Sequence, residues 1–112
     1  MQRKYRLKKR QDFKQVFQKG FSVANRQFVL YHLPKKEPSP LRLGVSVSRK
    51  IGKAVVRNRV KRLIKEVVRH WLSELKSQVD CVVIARKPAA NMTYREVKAS
   101  LRHLFKKAKL FR

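Results

Sequence analysis

Hydrophobic and polar positions alternate along this chain in two distinct periods, and the switches between them mark out its elements. Residues 5–19 carry a partial helical stripe, Leu7, Phe13, Val16 and Phe17, with Gly20 as a stop. Residues 21–23 and 27–33 read as strands with a turn or bulge over 24–26, and residues 34–40, with three prolines, must be a loop. In residues 41–47, Leu41, Leu43, Val45 and Val47 alternate with Arg42, Gly44 and Ser46, the pattern of a half-buried strand. Residues 48–53 form a basic loop with a turn at Gly52. Residues 54–75 predict the longest helix, because Val56, Val60, Leu63, Ile64, Val67, Trp71 and Leu75 fall on one side of a 3.6-residue period. Residues 79–85 are nearly all apolar, as in a buried strand, and 87–91 are a loop. The run Thr93-Tyr94-Arg95-Glu96 has the spacing of a capping box and opens a last helix with Val97, Leu101, Leu104, Phe105 and Ala108 on its apolar face.

The predicted order is α-β-β-β-α-β-α, an α+β sandwich with helices packed on one sheet. Strand 41–47, helix 54–75 and strand 79–85 suit a βαβ crossover, for which right-handedness is the general default. No repeat or linker divides the 112 residues, so a single domain, 1–112, is expected.

Charge changes this picture from a generic fold to a binding protein. There are 31 Lys and Arg against 6 Asp and Glu, a formal charge of +25, which calls for a polyanionic partner. A membrane surface is the poorer candidate, since no long apolar stretch or lipidation motif is present, and no apolar segment of a signal peptide follows the charged start. The single Cys81 excludes an internal disulfide framework and fits a reducing cytoplasm.

The cations are concentrated. Arg49, Lys50, Lys53, Arg57, Arg59, Lys61, Arg62 and Lys65 lie within 17 residues that contain no acid. On a helical wheel Asn58, Lys61, Arg62, Lys65 and Arg69 lie opposite the Val60/Leu63/Val67 stripe, with Arg57 and Arg59 flanking them. A Lys-rich helix face is commonly just solvated, but here too few acids are available for i,i+4 pairing. Guanidinium forks that grip phosphate, beside an Asn able to meet a base edge or 2′-OH, suit RNA. Phe13 and Phe17, one helical turn apart and set among Lys8, Lys9, Lys14 and Lys19, together with Tyr31, fit either of two roles. They can be core, or rings on which unpaired bases stack.

Catalytic groups are harder to find. His32, His70 and His103 are scattered, Cys81 lies in an apolar strand, the carboxylates are dispersed and no Gly-rich phosphate loop exists. A nucleic-acid binder without chemistry of its own is expected.

The stretch 49–62, Arg-Lys-Ile-Gly-Lys-Ala-Val-Val-Arg-Asn-Arg-Val-Lys-Arg, resembles the signature of the bacterial ribonuclease P protein family. Asp12-Phe13, residues 22–31, residues 43–48 and the run Ile-Ala-Arg-Lys-Pro-Ala at 84–89 extend the resemblance over nearly the whole chain. It implies a four-stranded αβββαβα sandwich with an unusual left-handed crossover, of the kind found in the second domain of a small-subunit ribosomal protein. It also implies a monomeric, cytoplasmic protein that assists a catalytic RNA in removing the 5′ leader from precursor tRNA, with magnesium held mainly by RNA. In that frame Arg49, Lys50, Lys53, Arg57, Asn58, Arg59, Lys61, Arg62 and Lys65 match the surface facing the catalytic RNA. Phe13, Phe17 and Tyr31 match the cleft that holds the leader, and no residue is catalytic. A ribosomal or ribosome-assembly protein would share the size and charge, whereas a protein-only nuclease would need clustered carboxylates or histidines.

Overall fold

The computed structural model describes all residues, Met1–Arg112. Seven main elements follow one another: α1 (Arg10–Lys19), β1 (Phe21–Ala24), β2 (Phe28–Pro34), β3 (Arg42–Ser46), α2 (Ala54–Trp71), β4 (Val79–Ala85) and α3 (Tyr94–Lys107). The strands form one mixed sheet in the order β1-β2-β4-β3, in which β4 runs antiparallel to β2 and parallel to β3. The parallel pair β3/β4 is joined through α2, as the sequence predicts.

Side-chain parity divides the sheet into two faces. On one, Phe28 and Leu30 of β2 and Val79, Cys81, Val83 and Ala85 of β4 join Val60, Ile64, Val67, Val68 and Trp71 of α2 and Val97, Leu101, Leu104 and Phe105 of α3 in the main core. On the other, Val82 packs with Leu7 and Val16, and Phe13, Tyr31, Leu33 and Ile84 lie partly buried around them. So α2 and α3 cover most of one face, and α1 covers part of the other.

The start of the chain departs from expectation. The first helix opens at Arg10, not at residue 5, because the segment before it has partners elsewhere: the Leu7 N–H donates to the Leu43 carbonyl (2.9 Å), and Arg6 forms a parallel bridge with Leu43. Leu7 thus extends the sheet beyond β3 and is buried there, which the helical stripe could not foresee. The long helix stops at Trp71, and residues 72–74 form a single 3-10 turn. Leu75 bridges Phe111 instead of extending the helix, and the Arg112 N–H bonds the Glu74 carbonyl (2.9 Å). Residues 87–91 are likewise a 3-10 turn.

The capping box is formed as expected. Glu96 N–H donates to Thr93 Oγ1 (3.2 Å) and Thr93 N–H to Glu96 Oε1 (2.9 Å), and the bond from the Thr93 backbone holds the Glu96 carboxyl below its usual range. Thr93→Ala removes one half of the box and should lower stability by about 1 kcal/mol, read as a lower urea midpoint at unchanged slope. Cys81 is fully buried, and desolvation pushes its thiol far above the usual range, the state of an inert core residue.

Candidate RNA interface

Three sheet ends converge to build one rim. Strands β3 and β4 are parallel, so the residues after Ser46 and after Ala85 emerge at the same end, and the β1–β2 turn joins them because Phe28 pairs with Ala85. The 3-10 turn Arg49–Ile51 anchors through buried Ile51 while Arg49 and Lys50 stay exposed. Gly52 then adopts φ 157° and ψ −169°, a region essentially reserved for glycine, and turns the chain into α2. Lys53 is exposed at the helix N-cap.

Along α2, Asn58, Arg59 and Arg62 are exposed, while Arg57, Lys61 and Lys65 are half-buried beside the apolar stripe. The ion pairs of the molecule use Lys35, Arg42, Arg69 and His70 as their cations, so none of the eight cations between 49 and 65 is neutralised by an acid. Desolvation, followed by repulsion from Arg6 and Lys61, pulls the Lys65 ammonium below its usual range. That repulsion places Arg6 beside the cationic face, a neighbour the helical wheel could not reveal. Arg57 keeps its buried Nε without a hydrogen-bond partner.

Two arginines of α2 have jobs within the fold. Arg59 donates through Nη2 to the Met92 carbonyl (2.8 Å) and through Nη1 to the Ala90 carbonyl (3.5 Å), fastening α2 to the turn after β4. Arg69, on the same wheel, is occupied by Glu66, whose carboxyl is held below its usual range by that hydrogen bond. Arg86, which donates to the Asn25 carbonyl (2.8 Å), and exposed Lys87 add charge at the same rim. Parallel pairing of the two strands was the signal for that addition.

The aromatic residues do come together. Phe17 meets Tyr31 edge-on at 5.0 Å between ring centroids, and Phe13 lies 6.5 Å from Phe17. Phe13 rests on Gly44, where an added Cβ would come within 2.5 Å of its ring, so glycine admits the ring to the sheet surface. The rings differ in exposure. Phe13 is mostly packing, Phe17 is 40% exposed and Tyr31 is half-buried, while Phe28 on the opposite face belongs entirely to the core. In register, the row Ser22–Tyr31–Val82–Gly44 lies under and beside α1, and the next row, Ala24–Val29–Ile84–Ser46, has no fully buried residue. That open strip runs from the aromatic rings to the loop bearing Arg49 and Lys50. No three His, Cys, Asp or Glu side chains gather in a metal-ligating arrangement, and no helix is long and apolar enough to cross a membrane.

A salt-bridge cluster fixes the helix that walls this strip. Arg42 donates from Nε to Asp80 Oδ1 (2.9 Å) and from Nη2 to Asp80 Oδ2 (2.7 Å), and its Nη1 lies 3.5 Å from Asp12 Oδ2 on α1. Asp80 is only 1% exposed and has Lys35 Nζ as a second, looser partner at 3.6 Å. The hydrogen bond to Asp80 holds the Arg42 proton more firmly than usual.

Comparison with known proteins bears on the family and the fold. The Ribonuclease P family model matches residues 1–109. The ribonuclease P protein component of Bacillus cereus strain Q1 is 56% identical over 108 residues, which cover 96% of this chain and 94% of that protein. The structure of the Staphylococcus aureus RNase P protein superposes with a TM-score of 0.90 at 48% identity, covering 96% of this chain and 98% of that one. The RNase P protein from Thermotoga maritima gives 0.82 at 34% identity, covering 91% and 96%. In sequence and in backbone, the chain belongs to the ribonuclease P protein family.

Proposed function

We propose that this chain is the RNA-binding protein subunit of ribonuclease P, joining a catalytic RNA through its cationic rim and holding the 5′ leader of precursor tRNA along the aromatic strip. One observation carries the reading: eight cations between residues 49 and 65 have no acidic partner, and they border a sheet row that leads to half-buried Tyr31 and exposed Phe17. A folded domain at +25 gains most from a polyanion that supplies the missing counter-charges. Arg49, Lys50, Lys53, Arg57, Lys61, Arg62 and Lys65 supply charge to phosphates, and Asn58 adds an amide among them. Arg59 contributes chiefly by holding the rim together.

In this reading hydrolysis of the leader bond is the work of the RNA, and the protein binds and orients. The chain's own donors do not fit a magnesium site, since the rim is cationic and its carboxylates do not converge. In the same reading the magnesium of the assembled enzyme is held mainly by the RNA.

Arg57 and Arg62 are the cleanest probes, because neither has a hydrogen-bonding role elsewhere in the fold. Every phosphate left without its cation should lower the log–log salt dependence of binding to the catalytic RNA by roughly 0.7–0.9. The double variant Arg57→Ala/Arg62→Ala should therefore bind more weakly, with a slope shallower by about 1.5. Filter binding from low to moderate salt measures both. An unchanged slope removes this face from the RNA interface.

A further inference from the structure

A second aromatic–cationic site lies at the opposite end of the sheet from the cationic rim, on the face that carries α3. Phe21, on edge strand β1, is 63% exposed, more than Phe17 in the cleft. Its ring lies 5.7 Å from that of His32, tilted by 36°. Together they border an open groove of about 250 Å³ that is also lined by Pro34, Lys76, Gln78 and Lys109 and by no acid. That volume is below the roughly 300–1,000 Å³ of cofactor and drug sites and suits something of the size of one base. Burial holds the His32 imidazole below its usual range, and Lys76 and Lys109 bring the fixed positive charge to the groove.

The backbone gives an independent pointer. Only two non-glycine residues in the chain have positive φ, Gln78 at 58° and Lys109 at 59°, and both line this groove. Lys109 sits where a glycine commonly ends a helix: Leu110 N–H bonds the Phe105 carbonyl (3.0 Å) and Lys109 N–H the Lys106 carbonyl (3.0 Å). A lysine tolerates this conformation poorly, and strained residues cluster at sites of function. Its presence puts an ammonium beside the exposed ring.

We propose that Phe21 and His32 form a second stacking platform for an unpaired RNA nucleotide, whose flanking phosphates are held by Lys76 and Lys109. Stacking on an exposed ring tolerates any base, and the lysines supply backbone attraction. The proposal rests on the RNA-binding reading for its class of partner but names a different surface. The nucleotide comes either from a distal part of the leader or from an unpaired segment of the catalytic RNA.

The direct test titrates the full chain with a uridine decamer while the ring signals of His32 and Tyr31 are followed by NMR. Both are expected to shift. Phe21→Ala, at an exposed position and checked for folding by circular dichroism, should weaken decamer binding by on the order of fivefold to a hundredfold, and Phe21→Trp should restore it. Inorganic phosphate should not reproduce the dependence on Phe21. A shift at Tyr31 with none at His32 overturns this proposal alone; no shift at either overturns the RNA-binding reading along with it. Self-association that disappears in Phe21→Ala, with His32 indifferent to RNA, would assign the groove to a second copy of the chain and also overturns it. For the source, a Phe21→Ala loss confined to long-leader precursors assigns the site to the leader, and a loss in binding to the catalytic RNA alone assigns it there. A loss in neither, with decamer binding unchanged, overturns the proposal.

Discussion

Replacing Arg42 by alanine should cost the fold about 3 kcal/mol, a large fraction of what holds a small domain together. The effect comes from what is left behind. Asp80 is 1% exposed, and without Arg42 it keeps only Lys35, at 3.6 Å. A buried carboxylate stripped of its bidentate partner is far more costly than a broken surface ion pair. Arg42 is itself partly exposed, and water reaching the vacated space keeps the figure at the lower end of the range for buried pairs. Urea unfolding measures it, and a second substitution, Asp80→Asn, should recover part of the loss because the uncompensated charge disappears. Arg42→Lys should recover little, since an ammonium cannot match two carboxylate oxygens at once. A change below about 1 kcal/mol in Arg42→Ala would show that this cluster does not hold α1 and the sheet together. Because Arg42 also reaches Asp12, folded protein of this variant should hold α1, and with it Phe13 and Phe17, less firmly.

Removing a ring from the open strip should cost about 1–3 kcal/mol of precursor binding for each base that loses its stack. If the strip holds the leader as proposed, the loss should depend on leader length, because only an extended leader would reach it. Tyr31→Ala is expected to weaken holoenzyme binding to long-leader precursors strongly and to leave binding of very short leaders nearly unchanged. Phe17→Ala should behave alike, since its ring packs edge-on against Tyr31. Tyr31→Phe keeps the stacking face and should retain most of the affinity. Phe13→Ala is a poorer probe, because its ring fills the space above Gly44 and the variant loses packing as well. Equal losses for long and short leaders, or no loss, would return the rings to the core and leave the strip without a ligand.

The parts of the fold that could be read from the chain are those whose burial is periodic. Strand β4 is buried along almost its whole length, α2 and α3 each carry a continuous apolar stripe, and Thr93 and Glu96 mark a helix start chemically. Boundaries set by distant partners could not be read in this way. Leu7 looks helical until Leu43 accepts its N–H, and Leu75 looks helical until it meets Phe111. The cationic face was visible as a run of charge without acids, yet the separate task of Arg59 depends on carbonyls more than thirty residues away. For the rings, strand parity separates Tyr31 from Phe28, but which face stays open depends on where α1 lands. Phe21 and His32 carry no local signal: an isolated aromatic at the start of a short strand reads as packing, and only the meeting of β1 with the end of α3 exposes the groove.

The most direct test is cleavage of a precursor tRNA at low magnesium by four mixtures: buffer alone, the catalytic RNA alone, this protein alone, and the two together. Leader removal at the mature 5′ end is expected when both are present, little with the RNA alone, and none with the protein alone at any magnesium concentration. Specific cleavage by RNA-free protein would contradict the assignment of hydrolysis to the RNA, and a catalytic RNA whose activity at low magnesium is unchanged by the protein would contradict the subunit role.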